Sequence, residues 1–279
     1  MNLFDRLGRV WNLGIQSLEV IGEHPKLLLF PVLSGSAMVL ILLSFFGTFL
    51  GLTGADPAVM EAFGDKLEQM GEFATAAIVF VFYLITYFIV IFFNVALVHN
   101  ARLIFAGEEP SIRAGLAFSS QRAASIFAWA ALAATVGLIL KAVEERLGSL
   151  VSGILGFAWS LATYFVVPTL AAEDVGPIEA LRRSSRVIRE RWGESIGAGF
   201  SLGLFTLAGI VLAFVVGGVA GTLVHPGLGI GLGILTYLLT IVVNGAARNI
   251  FLAAAYEHTN GNTPHQFDRD TLDGVFMQK

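Results

Sequence analysis

The amino-acid sequence predicts an all-α polytopic membrane protein, and its composition is the first reason. Of the 279 residues, 56% are hydrophobic and 14% are charged, whereas charged residues make up about a quarter of a soluble domain. The charged residues also cluster between long apolar stretches. A soluble globule of this size needs charges over its whole surface, so the composition excludes that class.

Six apolar segments are long enough to cross a bilayer. A spanning helix needs about 20 mostly apolar residues to cross roughly 30 Å of hydrocarbon, and residues 76–98 meet this requirement without a charge. Pro168 interrupts the fourth segment, and we expect a kink there because proline removes a helical hydrogen bond. The six predicted spans cover residues 27–52, 76–98, 123–142, 149–171, 196–224 and 228–255.

The distribution of lysine and arginine predicts the orientation. Thirteen of the 17 basic residues lie before the first span, between spans two and three, between spans four and five, or in the tail at 256–279. Three lie on the other side (Lys66, Lys141 and Arg146), and Arg248 falls inside the last span. Cytoplasmic loops carry the excess of basic residues. We therefore expect a multi-pass protein of the cell (inner or plasma) membrane with both termini in the cytoplasm.

A pattern of one helix followed by two spans occurs three times, at 1–98, 99–172 and 173–255. In the stretch before span five, Ile178, Leu181 and Ile188 recur at helical spacing opposite the charges. This periodicity is typical of a helix that lies in the membrane interface. We predict one membrane domain of three helix-hairpin units, each preceded by an amphipathic interfacial helix. A further short helix is expected within residues 56–73, on the other side of the membrane.

An arginine-rich stretch precedes span five, and it has two interpretations. Nucleic-acid binding is one, but the interleaved apolar residues favour contact with anionic lipid headgroups at the cytoplasmic face, worth about 1 kcal/mol per basic residue. The net charge of −4 gives no general reason to expect a nucleic-acid partner. The predicted membrane-surface residues are Arg182, Arg183, Arg186, Arg189, Arg191 and Trp192.

The same stretch carries a family resemblance. The segment EDVGPIEALRRSS at 173–185, followed by Arg189 and Trp192, resembles a signature of uncharacterised prokaryotic six-helix membrane proteins. It is also similar to the membrane domain that precedes the catalytic domain of some glycerophosphodiester phosphodiesterases, a catalytic domain with no counterpart in this sequence. LFPVLSG at 29–35 resembles the start of one such uncharacterised family. The resemblance implies a fold and a topology, and no established activity.

Polar residues inside the spans are the strongest candidates for a functional site, because they are costly in a membrane. One interpretation is a cytoplasm-facing pocket for an anionic headgroup near Arg248. The alternative is a set of hydrogen bonds between helices, with the arginine reaching the interface. The candidate pocket residues are Asn94, His99, Asn100, Arg102, Asn244, Arg248 and Asn249.

Other chemistries are not supported by the sequence. No cysteine is present, and the five histidines share no metal-ligand spacing, so we expect no metal, no cofactor and no catalytic residues. The glycine-rich run at 227–233 has no P-loop lysine, and small residues four apart favour close packing of spans five and six instead. The glycine pairs with this spacing are Gly199 and Gly203, Gly227 and Gly231, and Gly229 and Gly233.

Three classes of function remain open at this point. The favoured one is a non-enzymatic integral membrane protein that organises lipid or supports a membrane-protein partner or a homo-oligomer. The second is a transporter or lipid-handling protein with the polar pocket near Arg248. The third is an intramembrane enzyme, for which no pair of carboxylates at one depth is evident.

Overall fold

A computed structural model describes residues 3–54, 71–191 and 198–275, together with residues 56, 58, 59, 61, 62, 65 and 69. The described elements are helices, in agreement with the predicted class. Most of the short helix expected within 56–73 lies outside the described residues. A 3-10 turn at Pro25–Leu28 joins the first two of the following helices. They are α1 (Leu3–Glu23), α2 (Leu29–Thr53), α3 (Gly71–Phe105), α4 (Ile112–Gln121), α5 (Ala123–Leu147), α6 (Ser149–Ala162), α7 (Val166–Ala172), α8 (Pro177–Arg191), α9 (Ala198–Leu223), α10 (Pro226–Thr259) and α11 (Arg269–Val275).

Six segments of the described chain are long and apolar enough to cross a membrane, which confirms the six predicted spans. The element order also follows the prediction, since α1, α4 and α8 each precede two spans. Whether the three units are copies of one another stays a prediction. The spans are Pro25–Phe45, Phe73–Phe105, Ala123–Leu147, Ser149–Ala172, Phe205–Leu223 and Pro226–Thr259.

The buried core lies at one end of the bundle, which we call the packed end. Residues 95–98 of α3 and 250–256 of α10 are buried there. At the opposite or open end the spans are widely exposed: Leu40, Ile154 and Phe214 expose 64%, 63% and 78% of their surface. Apolar side chains on spans are stable when exposed to lipid tails, so the open end requires no protein neighbours.

The second and sixth spans are longer than a bilayer requires. Helices α3 and α10 contain 35 and 34 residues, which corresponds to about 50 Å at 1.5 Å per residue. The hydrocarbon layer is only about 30 Å thick. The extra turns coincide with the buried stretches, where the non-spanning helices α1, α4, α8 and α11 pack. Both helices are therefore long enough to extend past the hydrocarbon layer at the packed end.

The fourth span, where a kink was expected, is interrupted by a turn at residues 163–165. Helix α6 ends at Ala162 and α7 begins at Val166, with Pro168 as its third residue. Proline has no N–H to donate to the carbonyl of Tyr164, four residues earlier. Between the two helices the N–H of Val166 donates to the carbonyl three residues earlier, that of Thr163, at 3.1 Å.

Glycine packing joins spans five and six, as predicted. Of the predicted pairs, Gly229 and Gly233 make the contact. A Cβ atom on Gly229 would lie 2.4 Å from the carbonyl oxygen of Gly217 and 2.4 Å from Cα of Gly221. Gly233 faces the same helix, whereas a Cβ on Gly231 would meet nothing within 4 Å. Only a residue without a side chain allows this approach of the two backbones.

The C-terminal segment folds back onto the packed end. Leu272 of α11 is fully buried, and the ring of Phe267 packs edge-on against Phe105 at 5.8 Å. The side-chain amide of Gln266 donates to the carbonyl of Ile104 at 3.0 Å. The N–H of Asp268 donates to the side chain of Gln16 in α1 at 3.3 Å. The tail is therefore part of the core that positions α1 and α3.

Candidate functional site

Two of the seven candidate pocket residues contact each other directly. The side-chain amide of Asn249 in α10 donates to Oδ1 of Asn94 in α3 at 3.3 Å, and also to the carbonyl of Gly245 at 2.8 Å. The contact joins spans two and six at the boundary between the exposed and buried parts of both helices. It is a hydrogen bond between helices of the kind that satisfies amides in spans.

Asn100 is buried and attaches α4 to span two. Its side-chain amide donates to the carbonyl of Ala96 at 2.9 Å, and its Oδ1 accepts the N–H of Ser111 at 2.6 Å. A Cβ on Gly115 would lie 2.3 Å from the Asn100 amide nitrogen. Gly115 therefore lets α4 approach the asparagine closely, and the polar atoms of Asn100 are used within the protein.

His99 and Phe118 form a stacked pair at the same junction. The two rings are 4.0 Å apart at an interplanar angle of 7°. The guanidinium of Arg122 lies 4.9 Å from the centroid of the Phe118 ring. The imidazole thus forms one end of a stack whose other end is a cation.

Arg102 connects three spans through its guanidinium. Its Nε donates to Oε1 of Glu257 in α10 at 2.5 Å, and its Nη1 donates to the carbonyl of Ala171 in α7 at 2.9 Å. The Glu257 side chain is 14% exposed. A carboxylate this buried is stable only with a paired cation, so Arg102 is needed to neutralise it.

Asn244 and Arg248 lie apart from these contacts. The Asn244 amide is 3.4 Å from the hydroxyl of Thr206 in α9. Arg248 is exposed, and its guanidinium carbon is 5.6 Å from the centroid of the Tyr164 ring. Nine residues separate Arg248 from Glu257, which places them on opposite faces of α10. The structure therefore brings Asn94 and Asn249 together and places the other five in separate contacts.

The arginines of α8 fall into two groups. Some pair with carboxylates of the protein, and others lie on an exposed face of the helix. Arg183 forms ion pairs with Glu173 and, at 3.1 Å, with Glu179. Arg182 is 2.7 Å from Glu179 and keeps 64% of its side chain exposed. Arg186 and Arg189 are exposed. The side chain of Arg191 and the whole of Trp192 lie outside the described residues.

Glu173 is the centre of a polar network that the sequence analysis did not identify. The hydroxyl of Tyr256 donates to its Oε1 at 2.5 Å. Arg183 pairs with the other carboxylate oxygen, and Arg122 donates to the Glu173 carbonyl. Arg122 also reaches Asp174 at 3.2 Å. The network ties α5, α8 and α10 to the end of span four. The only signal in the sequence was the acidic pair before Pro177, which by itself indicates just a helix N-terminus.

Two consecutive serines of α8 satisfy the broken backbone of span four. The N–H of Phe165 donates to the buried hydroxyl oxygen of Ser184 at 3.0 Å, and the hydroxyl of Ser185 lies 3.4 Å from the carbonyl of Ala162. Ser119 of α4 makes a related contact, because its hydroxyl donates to the carbonyl of Phe92 in span two at 2.9 Å. Buried backbone groups need such partners, so both helices are held to the preceding span.

Two concave regions accompany these contacts. A groove of about 770 Å³ follows the glycine-rich contact of α9 and α10, with Phe214 and Tyr237 at its sides. A smaller cleft of about 280 Å³ lies at the packed end beside Arg102, Glu257 and Thr263. Within the described part of the chain, no group of three metal-ligating side chains is found.

Comparison with known proteins gives a family but no activity. The sequence model of a family of unknown function (DUF6159) matches residues 73–265, which is most of the chain. The protein therefore belongs to this family. No curated protein and no solved structure matches the chain. The finer likeness to the membrane domain of glycerophosphodiester phosphodiesterases stays a prediction.

Proposed function

We propose that this member of the DUF6159 family is a non-enzymatic integral membrane protein that gathers anionic phospholipids at the cytoplasmic face of the cell membrane. The observation that carries the proposal is the exposed face of α8, which contains Arg182, Arg186 and Arg189. The opposite face of the same helix is attached to the broken fourth span through Ser184 and Ser185.

Two of the three guanidinium groups have no ion-pair partner in the part of the chain that the structure describes. Among the residues that the structure describes, no carboxylate lies within 4 Å of Arg186 or Arg189, whereas Arg182 shares Glu179 with Arg183. Guanidinium groups bind phosphate through paired hydrogen bonds. Each basic residue close to an anionic leaflet contributes about 1 kcal/mol.

The position of α8 along the bundle suits a contact with headgroups. Its serines touch Ala162 and Phe165, at the point where the apolar fourth span breaks. Helices α3 and α10 are long enough to extend beyond the hydrocarbon on this side. The arginine face of α8 would then lie at the depth of the lipid phosphates.

The charge distribution supports a cytoplasmic location for the packed end. Arg102, Arg122 and Arg183 lie at this end, whereas Lys141 and Arg146 lie in the last two turns of α5, which runs to the open end. Basic residues accumulate on the cytoplasmic side, where the leaflet is negatively charged.

The contacts of the acidic residues support a proposal without an enzymatic activity. Of the acidic side chains that the structure describes, Glu173 and Glu257 are the least exposed, and each is bound by an arginine. Glu173 is also bound by the hydroxyl of Tyr256. Carboxylates engaged in this way hold helices together, which is a structural role.

Lipid analysis of native nanodiscs tests the proposed function. The full-length protein is extracted with styrene–maleic acid copolymer, and its lipids are compared with those of the bulk membrane. We expect enrichment of anionic phospholipid around the wild type and loss of most of it in the triple variant Arg182→Gln, Arg186→Gln, Arg189→Gln. The matched control, Lys141→Gln with Arg146→Gln, removes exposed cations from the other end and should retain the enrichment. Equal lipid composition in all three proteins would exclude the proposal.

The cleft beside Arg102 and Glu257 favours a second candidate, a lipid-handling or transport protein with a polar pocket open to the cytoplasm. The cleft has a volume of about 280 Å³ and contains both charges of this ion pair. Reconstituted vesicles carrying a fluorescent anionic phospholipid test this function. Transbilayer movement no faster than in protein-free vesicles would exclude it.

A further inference from the structure

Arg248 lies within the sixth span and, unlike Arg102 in the second, has no counter-ion in the described structure. Arg102, in span two, is paired with Glu257. No carboxylate among the described residues lies within 4 Å of Arg248; its neighbour is the ring of Tyr164, 5.6 Å away. A guanidinium without a carboxylate partner keeps its N–H groups available to another anion. Because Arg248 is exposed on a membrane helix, lipid headgroups can reach its guanidinium.

The depth of Arg248 matches the phosphate layer on the packed side. Helix α10 rises by about 33 Å between Pro226, at the turn that joins it to α9, and Arg248. This rise slightly exceeds the thickness of the hydrocarbon layer, about 30 Å. Trp11 stacks on Phe205 of span five at 4.1 Å, close to the contact between Thr206 and Asn244. Tryptophan is enriched at membrane interfaces, which agrees with this assignment of depth.

Towards the open end the surface next to Arg248 is apolar and exposed. Ile241 lies seven residues earlier, on the same face of α10, and exposes 46% of its surface. Ile234 continues this face with 55% exposure. On the last turns of α6, before the break at Tyr164, Phe157 exposes 53%. An acyl chain rising from the level of Arg248 would meet apolar side chains along its length.

We propose that Arg248 and Tyr164 form a binding site for a single anionic phospholipid beside the break in the fourth span. The guanidinium binds the phosphate of the headgroup, and one acyl chain lies along the face of Ile241 and Ile234. The Tyr164 ring supports the guanidinium from one side through a cation–π contact. The N–H groups of Arg248 then remain available for paired hydrogen bonds to phosphate oxygens. This site uses contacts different from those of the α8 arginine face.

Native mass spectrometry of the full-length protein, with added phosphatidylglycerol or phosphatidylcholine, tests the site. We expect the wild type to retain one phosphatidylglycerol more strongly than phosphatidylcholine. The variant Arg248→Gln should weaken retention of that molecule about tenfold, and Arg248→Lys should weaken it less, because a lysine keeps the charge and loses the paired geometry. The matched control, Arg146→Gln, removes an exposed cation from the opposite end and should bind as the wild type does.

A second variant and a soluble competitor make the test independent of the folding of the arginine variants. Ile241→Asp leaves Arg248 in place and should expel the acyl chain, so it should lose the same bound lipid. Soluble glycerol phosphate should displace no lipid at concentrations equal to that of the protein. Equal phosphatidylglycerol retention by the wild type, Arg248→Gln and Ile241→Asp would overturn the proposal. Full displacement by glycerol phosphate would also overturn it, because the ligand would then be a free phosphate. The α8 triple variant should keep this lipid, which separates the result from that of the proposed function.

Discussion

Ser184 accepts the backbone N–H of Phe165 at 3.0 Å, and this bond joins α8 to the fourth span where proline has broken it. Ser184 is fully buried. Within a continuous helix the N–H of Phe165 would bond to a carbonyl four residues earlier. The break removes that option, so a side chain of another helix takes the role of acceptor. The arginine face of α8 is positioned as a consequence.

Replacement of Ser184 by alanine should destabilise the protein by about 1–3 kcal/mol, the cost of a buried donor left without a partner. The measurement is thermal unfolding of the purified protein in detergent. Ser120→Ala is the control, because the exposed hydroxyl of Ser120 donates only to the carbonyl of Leu116 in its own helix. Equal melting temperatures for the two variants would show that the Phe165 contact contributes nothing.

The hydroxyl of Tyr256 should stabilise the packed end through its bond to Glu173, which measures 2.5 Å. Hydrogen bonds to charged groups contribute about 1.5–3 kcal/mol, so Tyr256→Phe should lower the free energy of unfolding by about that amount. Tyr237→Phe provides a control at an exposed position of the same helix. Chemical unfolding in mixed micelles measures both, and an equal loss for the control would contradict the assigned role.

A methyl group at Gly229 should force α9 and α10 apart. Its Cβ would lie 2.4 Å from backbone atoms of Gly217 and Gly221, which have no flexible side chain to move away. We expect Gly229→Ala to cost about 1–3 kcal/mol, as overpacking does in cores. Gly231→Ala, where a Cβ meets nothing within 4 Å, should be neutral or slightly stabilising because alanine favours helix. Melting temperatures in the opposite order would refute the packing.

Docking of the C-terminal helix should depend on pH through Asp268. Its carboxylate accepts the hydroxyl and the N–H of Thr271, and these hydrogen bonds lower the pKa of Asp268 below its usual 3.8. A lowered folded-state pKa means that the contribution is present above pH 3.8 and is lost as the pH falls through the folded-state value.

Hydrogen exchange of the α11 amides at neutral pH measures this contribution through two variants. Asp268→Ala should reduce their protection, while Asp268→Asn should keep part of it because the amide oxygen still accepts a hydrogen bond. Asp270→Ala, two residues away and exposed, is the control. Unchanged protection in Asp268→Ala would argue against a capping role.

The spans, the break at Pro168 and the glycine contact were predictable because each depends on local properties of the chain. Apolar length determines which segments enter a membrane, and a proline acts on the carbonyl four residues before it. The choice among glycine pairs was not predictable. Gly229 and Gly231 are both in an apolar helix, and only the rotation of α10 against α9 decides which one faces Gly217.

The candidate site was predictable in composition and not in arrangement. The sequence identifies Arg248 as a charge within an apolar span and Arg102 as a charge at the end of another. It contains no sign that Arg102 pairs with Glu257, 155 residues away, or that Arg248 lies near Tyr164. Similarly, the arginine-rich stretch before span five separates into Arg183, which binds Glu173, and the exposed Arg186 and Arg189.

By itself the sequence determined that this is a helical membrane protein with six spans, because hydropathy and helical periodicity are properties of neighbouring residues. Only the tertiary structure decided which charges neutralise one another and which remain exposed. The physical reason is that ion pairs and hydrogen bonds act over about 3 Å, so they depend on the rotation and depth of each helix. Those are set by side-chain packing at the packed end, between residues far apart in the chain.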